Sequence, residues 1–296
     1  MAREIRSMRP WMQSPCLRLV CVLVAASVAF PRGAGAAGDD STEEAESLKP
    51  LVKRLARDIG QDQKRIWTSP FHMTRKNARW WLAFGAATGV LIATDRRTSR
   101  QLANTADQVA FSGHVSQVGA VYTLLPTAGG LYLSGLLTHD AKLRETGLLG
   151  GEALADALIV SEVLKLAAGR QRPLEGDGSG HFFHAGASFP SGHAIESFAL
   201  ASVIAHRYGH RKAVAVLAYG LAGLVSVSRF SARKHFASDI LAGGAMGWFI
   251  GRHVSETHQD PSRGKRPPAR AWLAPQVIPQ VQPAARSYGI ALVWRP

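Results

Sequence analysis

The sequence predicts an all-α protein, a helical bundle of about six core helices, and three observations lead there. Apolar, Gly- and Ala-rich blocks recur at 80–94, 117–137, 147–168, 193–206, 212–228 and 238–251. Strand signals are sparse, because apolar–polar alternation is rarely sustained and Ala, Leu and Gly outnumber the β-branched residues. With 46% hydrophobic residues in 296, the chain has enough apolar matter for a sizeable core.

The elements follow in order. Arg3, Arg6, Arg9 and Arg18 precede an apolar stretch, Leu19 to Phe30, and the small-residue run 33–37. That is the layout of a signal peptide over 1–36, too short to cross a ~30 Å hydrocarbon core comfortably. Export into the periplasm or cell envelope is the expectation. Cleavage near Ala36 also removes Cys16 and Cys21, so the mature chain can form neither a disulfide nor a thiolate metal site. Residues 37–78 combine an acidic leader (Asp39, Asp40, Glu43, Glu44, Glu46) with an amphipathic surface helix on Leu51, Leu55, Ile59 and Ile66. The six blocks then form one domain, 79–256. A Pro-rich tail, 257–296, reads as extended, with a short strand over 288–294.

A formal charge of +14 and a pI near 10.5 favour anionic partners of any kind. No basic run interleaved with aromatics and no zinc-finger spacing occurs, which argues against nucleic acid.

Three short blocks carry chemistry. In the first, Lys165 and Arg172 are seven residues apart, almost two helical turns, so both project from one face, with Pro173 stopping the helix. In the second, Pro190-Ser191-Gly192-His193 opens an apolar helix whose free amides and positive dipole end attract anions. The third runs Ser228-Arg229, His235, Asp239. Residues four apart face each other on a helix, so Asp239 is expected to accept the Nδ1 proton of His235 and leave Nε2 as a nucleophile. Arg170, Arg233 and Lys234 match no motif position and read as screening or surface charges. The Gly-rich segment 175–188 reads as a flexible connector or a gating loop. His181 and His184 lack a carboxylate or Cys partner at metal-ligand spacing, so no metal site is expected there.

Together, K-x6-RP, PSGH and SR-x5-H-x3-D in this order resemble the signature of the type 2 phosphatidic acid phosphatase and vanadium haloperoxidase superfamily, its phosphatase branch in particular. The resemblance covers roughly residues 80–253. It implies that His235 attacks phosphorus in line and forms a phosphohistidine, that Asp239 orients and compensates the imidazole, and that His193 protonates the leaving oxygen. Lys165, Arg172, Ser191, Gly192 and Arg229 would hold the phosphoryl oxygens. The implied enzyme is a metal-independent phosphohydrolase of phosphomonoesters or lipid (pyro)phosphates, without a cofactor, although phosphate or vanadate fits the same cage. A vanadium-dependent haloperoxidase, a phosphotransferase and a non-catalytic lipid-binding protein remain the alternatives. An odd number of crossings before Arg172, acidic residues within 147–168 and a mean hydropathy of −0.01 favour export of the whole domain over an integral inner-membrane protein. Its apolar faces would then pack on one another or in a homodimer, and a membrane surface is a further partner.

Overall fold

The computed structural model describes residues 41–72, 74–102, 105–258, 276–282 and 287–293; the segment read as a signal peptide lies outside them. Eight α-helices occur among the described residues: α1 (Ser41–Thr68), α2 (Arg75–Gln101), α3 (Ala106–Gln117), α4 (Val121–Leu137), α5 (Ala141–Ala168), α6 (Gly192–Arg207), α7 (Lys212–Ser231) and α8 (Ala237–His258). From Ser41 onward, the acidic leader and the amphipathic segment are thus one continuous helix. The block at 117–137 starts at a junction, since α3 ends at Gln117 and α4 begins at Val121. Side-chain caps mark two starts: Thr105 accepts the Gln108 amide at 3.3 Å, and Asp140 accepts those of Lys142 and Leu143 at 2.9 and 3.1 Å. The tail holds an antiparallel hairpin rather than one short strand, β1 (Gln276–Gln282) on β2 (Ser287–Val293), with Val281 opposite Tyr288.

Helix α6 lies at the centre of the bundle, packed on α5, α7 and α8. Its Ile195, Ala199 and Val203, spaced by one turn, meet Leu149, Ala153, Ala157 and Val160 of α5 and Ile250 and Val254 of α8. A smaller cluster joins Leu124 and Ala128 of α4 to Leu154 and Leu200. Close approach of α8 to α6 rests on Gly247 and Gly251: a Cβ at either would sit 2.1 Å from a carbonyl oxygen of α6. This contact fixes the α6 N-terminus beside the start of α8, where the motif blocks meet.

The outward faces depart from the sequence expectation. In α7, Val216, Leu217, Leu221, Leu224 and Val227 form one stripe and are each 53–70% exposed. Leu133 and Leu137 of α4 and Trp80, Leu82 and Val90 of α2 are also exposed. These faces do not pack on one another within the described residues. The stretches Ala106–Leu137 and Lys212–Ser231 are long and apolar enough to cross a membrane.

Candidate active site

The first block is built by a helix end and a turn. Helix α5 stops at Ala168 because Gly169 takes the left-handed conformation, φ 52°, and returns its amide to the Lys165 carbonyl at 2.9 Å. Pro173 therefore does not stop the helix, and Arg172 lies beyond it instead of on the face that carries Lys165. Lys165 pairs with Glu162 at 2.7 Å. The Arg172 amide donates to Glu175 at 2.8 Å, while its side-chain Nε is buried without a partner.

The second block opens α6. Ser191 is the N-cap and fully buried, yet its Oγ makes no capping bond and has no partner at all. Its amide donates to the Asp239 carbonyl at 3.1 Å, which ties this helix start to α8. A Cβ on Gly192 would stand 2.9 Å from Lys165 Nζ and 3.0 Å from Ser161 Oγ, so the Lys165 ammonium lies against the start of α6, where the free helix amides are.

The third block spans the α7–α8 turn. Arg229 sits in the last turn of α7, with Nη1 donating to Ser116 of α3 at 3.3 Å and Nε buried without a partner. The chain reverses through Arg233, φ 49°, and brings His235 back inward at 3% exposure. His235 precedes α8, so it does not share a helical turn with Asp239, and the expected pairing is replaced. His235 Nδ1 lies 2.7 Å from the Ser188 carbonyl, whereas Asp239 Oδ2 is 3.8 Å away. A carbonyl can only accept, so Nδ1 carries the proton and Nε2 keeps its lone pair. Burial depresses the His235 pKa; the Asp239 carboxylate opposes the shift, and Arg229 and Arg172 add to it.

Asp239 is committed elsewhere. Its Oδ2 accepts Ser188 Oγ at 2.6 Å and the Phe236 amide at 2.8 Å, closing the first turn of α8, and its Oδ1 accepts Arg170 Nη1 at 2.6 Å. Arg170, read from sequence as a surface charge, is instead 1% exposed and the hub of the site. Besides Asp239 it donates to Asp95 of α2 at 2.9 Å, Ser238 Oγ at 2.6 Å and the Gly180 carbonyl at 3.1 Å, between the rings of Phe182 and Phe236. Asp95 also accepts from the amide and hydroxyl of Ser238. Neither Asp95 nor Ser188 belongs to any recognisable block. Asp95 is the one acidic residue of α2, next to Arg96 and Arg97, and that was the available signal.

The segment 175–188 is a wall and not a loose connector. Phe183, His184 and Gly186 amides return to the Ala168 and Gly169 carbonyls, and the Ser188 amide to Arg170, at 2.8–3.0 Å. Arg233 holds the Arg100 and Leu102 carbonyls, and Lys234 is exposed. His181 and His184 stack with ring centres 5.5 Å apart, and Asp177 stands 3.5 Å from His181, all at the surface.

The motif cations do converge. His193, one residue into α6, is depressed to about 3 by burial first and then by the charges of Arg229, His235, Lys165 and Arg172. Four groups from the first and third blocks thus act on the imidazole of the second. Buried Ser161 Oγ, Ser191 Oγ, Arg172 Nε and Arg229 Nε all lack an acceptor. Donors crowded without acceptors fit an oxyanion rich in acceptor oxygens.

Residues 146–263 match the model of the PAP2 superfamily. The chain is similar to the lipid A 1-phosphatase of Porphyromonas gingivalis, 32% identical over 140 residues, which make up 46% of this chain and 29% of that protein. It therefore spans less than a third of that relative. Among solved structures it is similar to the transmembrane PAP2 type phosphatidylglycerolphosphate phosphatase from Bacillus subtilis, with 22% identity, a TM-score of 0.49, and coverage of 62% of this chain and 98% of that one. Similarity to Aquifex aeolicus LpxE has 22% identity, a TM-score of 0.39, and coverage of 52% and 88%.

Proposed function

We propose that the match of residues 146–263 to the PAP2 superfamily model reflects membership of that superfamily, and that the protein is a membrane-associated, metal-independent hydrolase of lipid phosphates that works through a phosphohistidine on His235. The single observation that carries this reading is the set of cations, Arg229, Lys165 and Arg172, that act with His235 on the His193 imidazole, with Arg172 Nε and Arg229 Nε buried and lacking an acceptor. In the first step His235 Nε2 attacks phosphorus while the bond to the leaving oxygen breaks, and His193 gives that oxygen its proton. In the second, His193 takes a proton from water, the water oxygen attacks the phosphohistidine, and His235 and inorganic phosphate are released. Free His193 is neutral near pH 7. A dianionic phosphate among Lys165, Arg172 and Arg229 offsets their charge and lets His193 take up the proton it must donate.

A lipid is favoured over a soluble ester by the surroundings of the cup. Tyr122, at the start of α4, lies close enough to Arg229, at the end of α7, for the two to interact electrostatically. The exposed apolar faces of both helices run away from that rim. A headgroup in the cup can leave its chains along them. We place the site on the outer side of the cytoplasmic membrane, where the exported N-terminus would deliver it.

The test is turnover of a lipid phosphate in detergent micelles by wild type and by His235→Ala, with rapid quenching of wild type on a labelled substrate. Wild type should carry label that survives alkali and is lost in acid, and its initial rate should persist with a chelator present. His235→Ala should show neither label nor turnover. Full activity in His235→Ala would overturn the reading.

A further inference from the structure

A second cluster of titratable side chains lies at the other end of the bundle, where α1 rests on α5 and α8. Asp62 of α1, fully buried, accepts His253 Nε2 at 3.0 Å and His258 Nε2 at 2.8 Å. The same His258 nitrogen lies 3.4 Å from Glu152 Oε1 of α5. Asp58, one turn before Asp62, completes the group: one ligand atom each from Asp58, Glu152 and His258 lie within 4.8 Å of one another. These three side chains also line a small cavity with Arg54, Leu51 and Leu149.

Hydrogen bonds alone leave this cluster short of positive charge. The His258 Nε2 proton is committed to Asp62, so Glu152 Oε1, in a side chain 3% exposed, has no donor. Asp156, one turn further along α5 and fully buried, receives Gln63 Nε2 on Oδ1 at 2.8 Å, but its Oδ2 has none. Four carboxylates, Asp58, Asp62, Glu152 and Asp156, thus face two imidazoles and the exposed Arg54. Uncompensated buried carboxylate oxygens are costly, and one cation bound among them would serve several at once.

The separations suit an ion. Bonds of 2.0–2.1 Å in a tetrahedron put ligand atoms about 3.3–3.4 Å apart. The Nε2 to Glu152 contact has that length. Asp62, hydrogen-bonded to His258 and His253, stands beside the three ligands and adds negative charge next to the ion. An imidazole nitrogen among carboxylates selects a borderline transition ion such as Zn2+ over Mg2+ or Ca2+, which prefer oxygen ligands throughout. The cluster is also remote from the cup, since Glu152 precedes Lys165 on α5 by about 20 Å of helix.

We propose that Asp58, Glu152 and His258 bind one divalent transition-metal ion of the Zn2+ class, which fastens α1 to the bundle. The site is structural, and the proposal stands apart from the catalytic reading. The experiment is titration of untagged, chelator-stripped full chain in detergent with Zn2+ by calorimetry, and with Co2+ by visible absorption. Expected are one ion per chain, the strong absorption of tetrahedral Co2+, and a melting temperature several degrees higher with Zn2+. Glu152→Gln, which preserves side-chain shape, and His258→Ala should each weaken binding at least tenfold, while His235→Ala binds as wild type and shows that the cup is not the site. The proposal is overturned if stripped wild type takes up no Zn2+ or Co2+, if Glu152→Gln binds unchanged, or if Mg2+ competes equally.

Discussion

At the residue scale, the tautomer of His235 is set by a backbone carbonyl and its surroundings by a carboxylate. Removing the Asp239 charge should therefore cost less than in sites where the carboxylate fixes the tautomer, where the loss is about 10⁴-fold. Asp239→Asn is expected to lower kcat by roughly 10- to 10²-fold with little change in KM, and steady-state kinetics will read this. His193 makes a second prediction. Its folded pKa, about 3, lies below the unfolded value of 6.5, so the unfolded state binds the extra proton first. The stability that His193 contributes is complete above pH 6.5 and is lost as pH falls toward 3. Wild type should lose melting temperature relative to His193→Gln between pH 7 and 4. Inorganic phosphate should shrink the difference, because a bound anion restores the proton's welcome. Unchanged curves would mean that the cations do not act on His193.

At the scale of elements, the proposed catalysis depends on how closely α8 approaches α6, because His235 lies just before the start of one and the Ser191 and Gly192 amides at the start of the other. Gly247 faces the Ile195 carbonyl at a distance that leaves no room for a Cβ. Gly247→Val should destabilise the protein by about 1–3 kcal/mol through overpacking. It should also reduce turnover in the protein that remains folded, because the Ser191 to Asp239 backbone bond would lengthen. Denaturant melts and assays on the same preparation separate the two effects. A variant with full stability and full activity would show that the helices have slack. The wall at 175–188 acts in the same way: pinned to Gly169 and Arg170, it delivers the Ser188 carbonyl to His235.

At the scale of the whole molecule, the exposed apolar stripe of α7 bears on the proposed membrane association. Exposed side chains of this kind over a whole helix face are costly in water and at home in lipid. Leu221→Asp adds a charge to the middle of that face. If lipid covers it, the variant should lose about 2.5–3.5 kcal/mol of insertion free energy, seen as a fall in the membrane-bound fraction after alkaline washing. In water the same change would be close to neutral.

The sequence was sufficient for the helical class, the approximate positions of the central helices and the residues of the three blocks, because short-range periodicity and spacing encode them directly. Asp95, Ser188 and Arg170 were not legible. Their roles depend on contacts across 50 to 75 positions of chain, and a buried arginine has the same letter as an exposed one. Spacing also misassigned the His235 and Asp239 pair, since it assumed a helix that begins two residues after His235. Local chemistry determined which groups could handle a phosphate. Only the packing of α5, α6 and α8 decided which of them touch, because hydrogen-bond partners are fixed by distances in space that no spacing along the chain contains.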